Sequence, residues 1–248
     1  MSLHQKVVLI LQARMGSTRL PGKSLLKICD KPLIEHIIDR VKFCKEVDEI
    51  ILATPLSDEN DELAKFADKK NITSFRGSED DVLNRYYCAA KNSNADLVVR
   101  IPADNAVPEA SEIDKIIRHH ISLNRPGFSS NLCEVFNSGY PDGIGAEVFD
   151  FKLLADAELS QADLKKREHP HLNFFDYESQ TPVDPKWCPI STIKCPEEFA
   201  IPDLILDVNT KEQYKFIKSL YNCIYPSKPN FTIYDVVKWY KNYNNEKK

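Results

Sequence analysis

No apolar run in the 248-residue sequence is long enough to cross a bilayer, so no segment reads as a membrane-spanning helix. The first residues, Met1 to Lys6, lead straight into a strand and carry no signal-peptide pattern, so the expected compartment is the cytoplasm. Positive charge is not in excess: 33 Lys and Arg face 37 Asp and Glu, a formal net charge of −4. A general nucleic-acid binder would present a net basic face, so no nucleic-acid partner is expected. There is no C-x-x-C pair. The seven cysteines, Cys29, Cys44, Cys88, Cys133, Cys188, Cys195 and Cys223, are scattered and odd in number. That speaks against a disulfide framework or a zinc site and for reduced thiols in or near the core. Repeats, low-complexity blocks and linkers are also missing. The simplest organisation is one α/β domain over 1–248, with a C-terminal helical extension at about 226–245.

What is present begins with an alternation of two periodicities. Short apolar runs predict strands at 6–12, 49–54, 72–75 and 96–101. Between them, 32–44, 59–70 and 80–92 show helical spacing. In the first of these helices Leu33, Ile34, Ile37, Ile38 and Val41 share a face, and Pro32 opens it. The pattern predicts a mainly parallel sheet covered on both faces, with ligands at the carboxyl ends of its strands. Further on, a helix is expected at 110–123, strands near 127–131, 146–150 and 189–194, and helices around 151–158 and 163–175. Residues 176–189 read as a loop, 203–208 as a strand, and Thr210 to about 222 as a helix. Thr232 caps a tail helix that frays over Lys241–Lys248.

The first strand ends in Gln12-Ala13-Arg14-Met15-Gly16-Ser17-Thr18-Arg19-Leu20-Pro21-Gly22-Lys23. Three cations, two hydroxyls and two glycines in one loop suit a polyphosphate. Glycines let the backbone approach phosphate oxygens, amide N–H groups form a nest, and cations neutralise charge. The loop is not the G-x-x-x-x-G-K-[ST] phosphate loop, because five residues separate Gly16 from the Gly22-Lys23 pair.

The order R-x-G-S-T-R-L-P-G-K resembles the nucleotide-binding signature of the nucleotidyltransferases that make CMP-activated acidic sugars. These include the acylneuraminate and 3-deoxy-manno-octulosonate cytidylyltransferases and the spore-coat polysaccharide biosynthesis protein F type, which it resembles most. The likeness spans roughly residues 6–225. It implies a Rossmann-like fold of the nucleotide-diphospho-sugar transferase type: a mainly parallel mixed sheet, helices on both faces and a small β insertion. It also implies a nucleotide site at Leu11, Ala13, Arg14, Gly16, Ser17, Arg19 and Lys23.

Other motifs carry both a structural and a chemical reading. Asp104 lies just past a strand end; alone it reads as a turn former or cap, and beside the phosphate loop as a Mg²⁺ ligand. The segment Asp207-Val208-Asn209-Thr210 resembles the family's D-x-D-T, with Asn209 replacing the second carboxylate. Asn is a neutral oxygen ligand, so the metal role is retained for Asn209 and extended to Asp207; a cap-rich helix start is the structural alternative. In Phe75 to Tyr87 the family's R-G-S-E-D-D-V-L-x-R-Y recurs. Ser78 is the expected N-cap with Asp81 completing a capping box, and the resemblance turns Arg76 and Arg85 toward the nucleotide. The stretch Tyr140-Pro141-Asp142-Gly143 to Glu147 forms a turn entering a strand; by resemblance Tyr140, Asp142 and Glu147 line the sugar side. Arg167-Glu168-His169-Pro170-His171 resembles R-E-H-V, which places Glu168 and His169 near the acceptor. His169 and His171 are two positions apart, not the i, i+4 of a helical zinc pair.

The expected reaction is CTP plus an acidic or amino sugar giving a CMP-sugar and pyrophosphate, for surface polysaccharide or glycan biosynthesis. Arg14, Lys23 and Asp104 are the expected catalytic residues, Mg²⁺ the cofactor, and CTP and a small sugar the partners; a homodimer is compatible with this. Two rivals stand beside it: a glycosyltransferase of similar architecture, which normally needs D-x-D, and a non-catalytic nucleotide-binding protein.

Overall fold

The computed structural model describes residues 4–132 and 134–245. The strands are β1 (Val7–Gln12), β2 (Lys27–Ile28), β3 (Lys31–Pro32), β4 (Glu49–Pro55), β5 (Thr73–Gly77), β6 (Leu97–Pro102), β7 (Phe128–Ser130), β8 (Glu147–Asp150), β9 (Phe175–Asp176), β10 (Thr181–Pro182) and β11 (Ile190–Thr192). The helices are α1 (Leu33–Val41), α2 (Asp61–Lys69), α3 (Val82–Asn92), α4 (Ala110–Ser122), α5 (Phe151–Ser160), α6 (Leu164–Glu168), α7 (Lys211–Ile224) and α8 (Ile233–Asn245).

Seven strands form the central sheet in the order β11-β7-β8-β6-β1-β4-β5. β1 pairs in parallel with β4 and β6, and β4 with β5, whereas β8 runs antiparallel to both β6 and β7. The apolar runs of β1 explain its central place. Val7, Leu9 and Leu11 pack with α1, α2, α4, α7 and α8 on one face, and Val8 and Ile10 pack with α3 and α5 on the other. A strand buried on both faces has no polar alternation to show, which is why it reads as a continuous hydrophobic stretch. The chain leaves β1 toward β4 and β5 on one side and later returns to β6 on the other. The carboxyl ends of β1 and β6 therefore flank a topological switch point, the usual ligand crevice of such sheets.

Several boundaries depart from expectation for local reasons. The helix expected over 163–175 stops at Glu168, because the residue before Pro170 is driven out of the helical region; His169 has φ −122° and ψ 82°, and a 3₁₀ turn follows. Asp163 caps α6 instead. The 176–189 loop contains β10, paired to β9. Residues 203–208 do not form a strand; only two isolated bridges hold them, Asn105 to Asp207 and Asp142 to Ile205. The N-cap of α3 is Asp81, whose carboxylate accepts from Asn84 N, while Ser78 Oγ accepts from Asp81 N. A β2–β3 hairpin that the periodicity does not reveal turns through Cys29 and Asp30, both at positive φ as a type I′ turn requires. α8 continues to Asn245, and 246–248, like Met1 to Leu3 and Cys133, lie outside the described residues. Its Ile233 and Val236 join the core beside Ile217 and Leu220 of α7. The six described cysteines are free thiols. Among the described residues, no helix is long and apolar enough to cross a membrane.

Candidate functional site

The loop after β1 folds back on itself. Ser17 N and Gly22 N both donate to the Met15 carbonyl, and Gly22 takes the left-handed conformation (φ 68°) that closes the turn. Asn60 Oδ1 receives Met15 N and fixes the loop to the start of α2. Ala13 N donates to Ala53 O of β4, and Ala103 N, past the end of β6, donates to Gln12 O. The cationic loop and the Asp104 turn are thereby held side by side.

Three distant segments then converge on Asp104. Val208 N donates to Asp104 O, Ala106 N to Leu206 O, Asp142 N to Leu204 O, and Leu206 N to Asp142 O. These bonds bring Asp207 and Asn209 to the β6 end and set Asp142 behind them. A capping box locks the last turn before α7: Gln213 N donates to Thr210 Oγ1, and Gln213 Oε1 receives both Asn209 N and Thr210 N. The cap-rich helix start expected for this segment is realised, and the same cap fixes the backbone of Asn209.

At the centre, Lys23 Nζ lies 2.7 Å from Asp104 Oδ2 and 3.0 Å from Asn209 Oδ1. Arg19 Nη2 reaches the same Asn209 oxygen at 3.0 Å. Asp207 Oδ1 is enclosed without a hydrogen-bond partner. Burial, then the charges of Asp142 and Asp104, push the Asp207 carboxyl well above its ordinary range. Burial and Asp104 raise Asp142 as well. These groups line a cleft of ≈ 440 Å³ together with Gln12, Ser17, Thr18, Glu134, Glu147 and His169. A larger cavity of ≈ 800 Å³ opens between α1, α4 and the segment before α8, but it holds none of the motif residues. Its Arg40 is bound to the Pro108 and Phe231 carbonyls and to Glu109, which serves the attachment of the chain's last helix rather than a ligand.

Not every expected residue faces the cleft. Leu11 is wholly buried in the core and can offer only its backbone. Gly16 lies near the carboxylates of Glu59 and Glu79. Arg14 lines the cleft, with Glu168 Oε1 at 3.8 Å. Arg76 is turned away: it binds the Pro55, Leu56 and Ser57 carbonyls and pairs with Asp61. Arg85 is fully buried and donates to the Ser78 and Glu79 carbonyls, so it supports the loop before α3 rather than projecting to a ligand. Tyr140 is buried toward α4, where its hydroxyl donates to Glu112 Oε2. Glu147 reaches the cleft wall, but both of its oxygens are occupied, by Arg100 Nη1 at 2.6 Å and Tyr177 Oη at 2.7 Å. Burial alone would raise its carboxyl; the Arg100 guanidinium holds it below the ordinary value.

Sequence reasoning gave no role to Arg100, Glu134, His171 or Tyr177, which also line the cleft. Arg100 left a signal, a cation inside the apolar run of β6 facing Glu147 across the β6–β8 register. Glu134 and Tyr177 lie in irregular connections and left none.

Gly143 has φ 85°, and a methyl group there would meet Asp207 Oδ1 at 2.5 Å and the Leu206 carbonyl carbon at 3.0 Å. Gly143→Ala is expected to cost about 1–2 kcal/mol from the backbone conformation alone, and to displace Asp207 in addition. A melting temperature and turnover equal to wild type would show that the packing does not depend on it.

Residues 8–246 match the family model described as cytidylyltransferase. The spore coat polysaccharide biosynthesis protein SpsF of Bacillus subtilis is 30% identical over 219 residues, covering 87% of this chain and 86% of that protein. The 8-amino-3,8-dideoxy-manno-octulosonate cytidylyltransferase of Shewanella frigidimarina is 34% identical over 113 residues, 45% of this chain and 46% of that enzyme; the chain thus spans about half the length of that relative. Among solved structures, a cytidylyltransferase from Leptospira borgpetersenii superposes with a TM-score of 0.86 at 26% identity, covering 98% of this chain and 96% of that one. The mainly parallel α/β sheet expected from the resemblance is the fold observed, and that solved structure shares it.

Proposed function

From the premise that this chain belongs to the cytidylyltransferase family, we propose that it transfers CMP from CTP to a sugar, with Mg²⁺, for polysaccharide or glycan synthesis. The observation that carries this reading is the cation-bridged pair at the switch point, Asp104 and Asn209 joined by Lys23 Nζ. One small cation already sits between two oxygen ligands, and a third oxygen, Asp207 Oδ1, is enclosed beside them without a partner. Hard oxygens in this number fit Mg²⁺, which takes one or two protein carboxylates and completes its shell with water and phosphate. When bound, the ion would neutralise phosphate charge and polarise the α-phosphoryl group.

The protein's own part is positioning and charge stabilisation, as phosphoryl-type transfers require. In this reading Arg14, Arg19 and Lys23 hold the triphosphate, and the folded loop offers its remaining amides. An acceptor oxygen entering from the Arg100–Glu147–Tyr177 side forms a bond to the α-phosphorus in line with the departing pyrophosphate. Lys23 must leave Asp104 to reach the phosphates, so nucleotide and metal binding are coupled through one side chain.

Two measurements test it. Pyrophosphate release should require CTP and a sugar together; matched probes are 3-deoxy-manno-octulosonate and its 8-amino counterpart. Asp104→Asn should raise the Mg²⁺ concentration needed for half-maximal rate by about ten-fold or more, since a charged ligand becomes neutral. Asn209→Asp should retain turnover. Unchanged rates in chelator would refute the metal-dependent reading.

A further inference from the structure

The cleft is uneven in charge. Three of its cations, Arg14, Arg19 and Lys23, belong to the loop after β1, and the fourth, Arg100, is spent on Glu147. Two other carboxylates of the wall, Glu134 and Asp142, come from the β7–β8 connection. Among the described residues neither takes part in an ion pair, while every cation of the wall already has an acidic or amide partner.

The Gly143 amide supplies the Asp142 carboxylate with a backbone donor but no charge. His171, in the same wall, has an unpartnered Nδ1, and burial followed by the charge of Arg100 keeps its imidazole neutral, with a pKa near about 3. A carboxylate, phosphate or sulfate placed here would meet like charge. Among the described residues no three His, Cys, Asp or Glu side chains converge closely enough to hold a metal ion by themselves. A primary ammonium group carries three donors and one positive charge, which is what this wall lacks.

We propose that the acceptor sugar bears a protonated primary amine, received by Asp142 and Glu134 on the β7–β8 side of the cleft. This rests on the cytidylyl-transfer reading above and narrows its substrate to amino sugars. The amine is a recognition handle; the attacking group remains an acceptor oxygen, and no further reaction step is added.

The experiment compares matched sugar pairs, differing only in amine or hydroxyl at one carbon, in pyrophosphate release with saturating CTP. The octulosonate pair named above is one, and hexosamine–hexose pairs supply others. Wild type should favour one amino sugar over its hydroxyl counterpart by about ten-fold in kcat/KM. Asp142→Asn keeps the side-chain shape and should shrink that preference to about three-fold or less. Glu134→Gln, at an exposed position where folding is not at stake, should shrink it too. Equal use of both members, preference for the hydroxyl form, or a preference unmoved by either substitution overturns the proposal. CTP binding measured by calorimetry separates the two levels. CTP bound with no sugar of any pair used sinks the amine inference and leaves the nucleotide reading standing. Absence of CTP binding sinks both.

Discussion

Lys23→Ala is expected to lower kcat/KM for CTP by about 30-fold or more, equivalent to about 2 kcal/mol of lost transition-state stabilisation. The lysine is the hinge of the site. Its ammonium links Asp104 and Asn209 in the free protein and, in the proposed reaction, turns to the phosphates. The variant removes a charge-assisted contact from the transition state and leaves Asp104 without its counter-charge in the resting state. Folding should survive, because Lys23 N and the 3₁₀ turn at Lys23–Leu25 do not need the side chain. Arg14→Ala should lose activity to a similar degree, since Arg14 has only a 3.8 Å contact with Glu168 to hold it back from a ligand. Steady-state kinetics together with a melting curve decide the matter. Values within three-fold of wild type in both variants would remove the loop from the triphosphate site.

The largest effect on stability should come from the Arg100–Glu147 pair. Both side chains are almost wholly buried, at 9% and 1% exposure, and sit opposite each other on β6 and β8. Removing one partner leaves an uncompensated buried charge, a loss of about 3–5 kcal/mol. Arg100→Met is therefore expected to lower the melting temperature by roughly ten degrees. The double variant Arg100→Met/Glu147→Leu should recover a large part of that loss, because the stranded charge is gone; only Tyr177 Oη then lacks its acceptor. Glu147→Gln should behave like a milder Arg100→Met, with lost stability rather than a selective loss of sugar affinity. A melting temperature unchanged in both single variants would show that the pair is solvated, and would return Glu147 to direct sugar contact.

Local features of the chain decided a good deal. The doubly buried run of β1 and the amphipathic spacing of α1 place the glycine-bounded cationic loop between them at a strand end with no tertiary information. Asp104, one turn past β6, and Thr210, heading α7 with Asn209 before it, follow from short-range turn and cap chemistry. Such signals are legible because each depends on neighbours within a few residues. Tertiary structure decided what charge and register do at long range. The resemblance turned Arg76 and Arg85 alike toward the nucleotide and gave Arg100 no role, yet the first pairs at the surface, the second is buried on carbonyls and the third neutralises a buried carboxylate. The same holds for the acids: Glu147 is paired, while Asp142 and Asp207 crowd together because bridges from Asp142 to Ile205 and from Asn105 to Asp207 bring distant segments to one sheet edge. Periodicity tells which face of an element is buried but not which partner it meets there, and the free energy of a charge is set by that partner and by the water it loses.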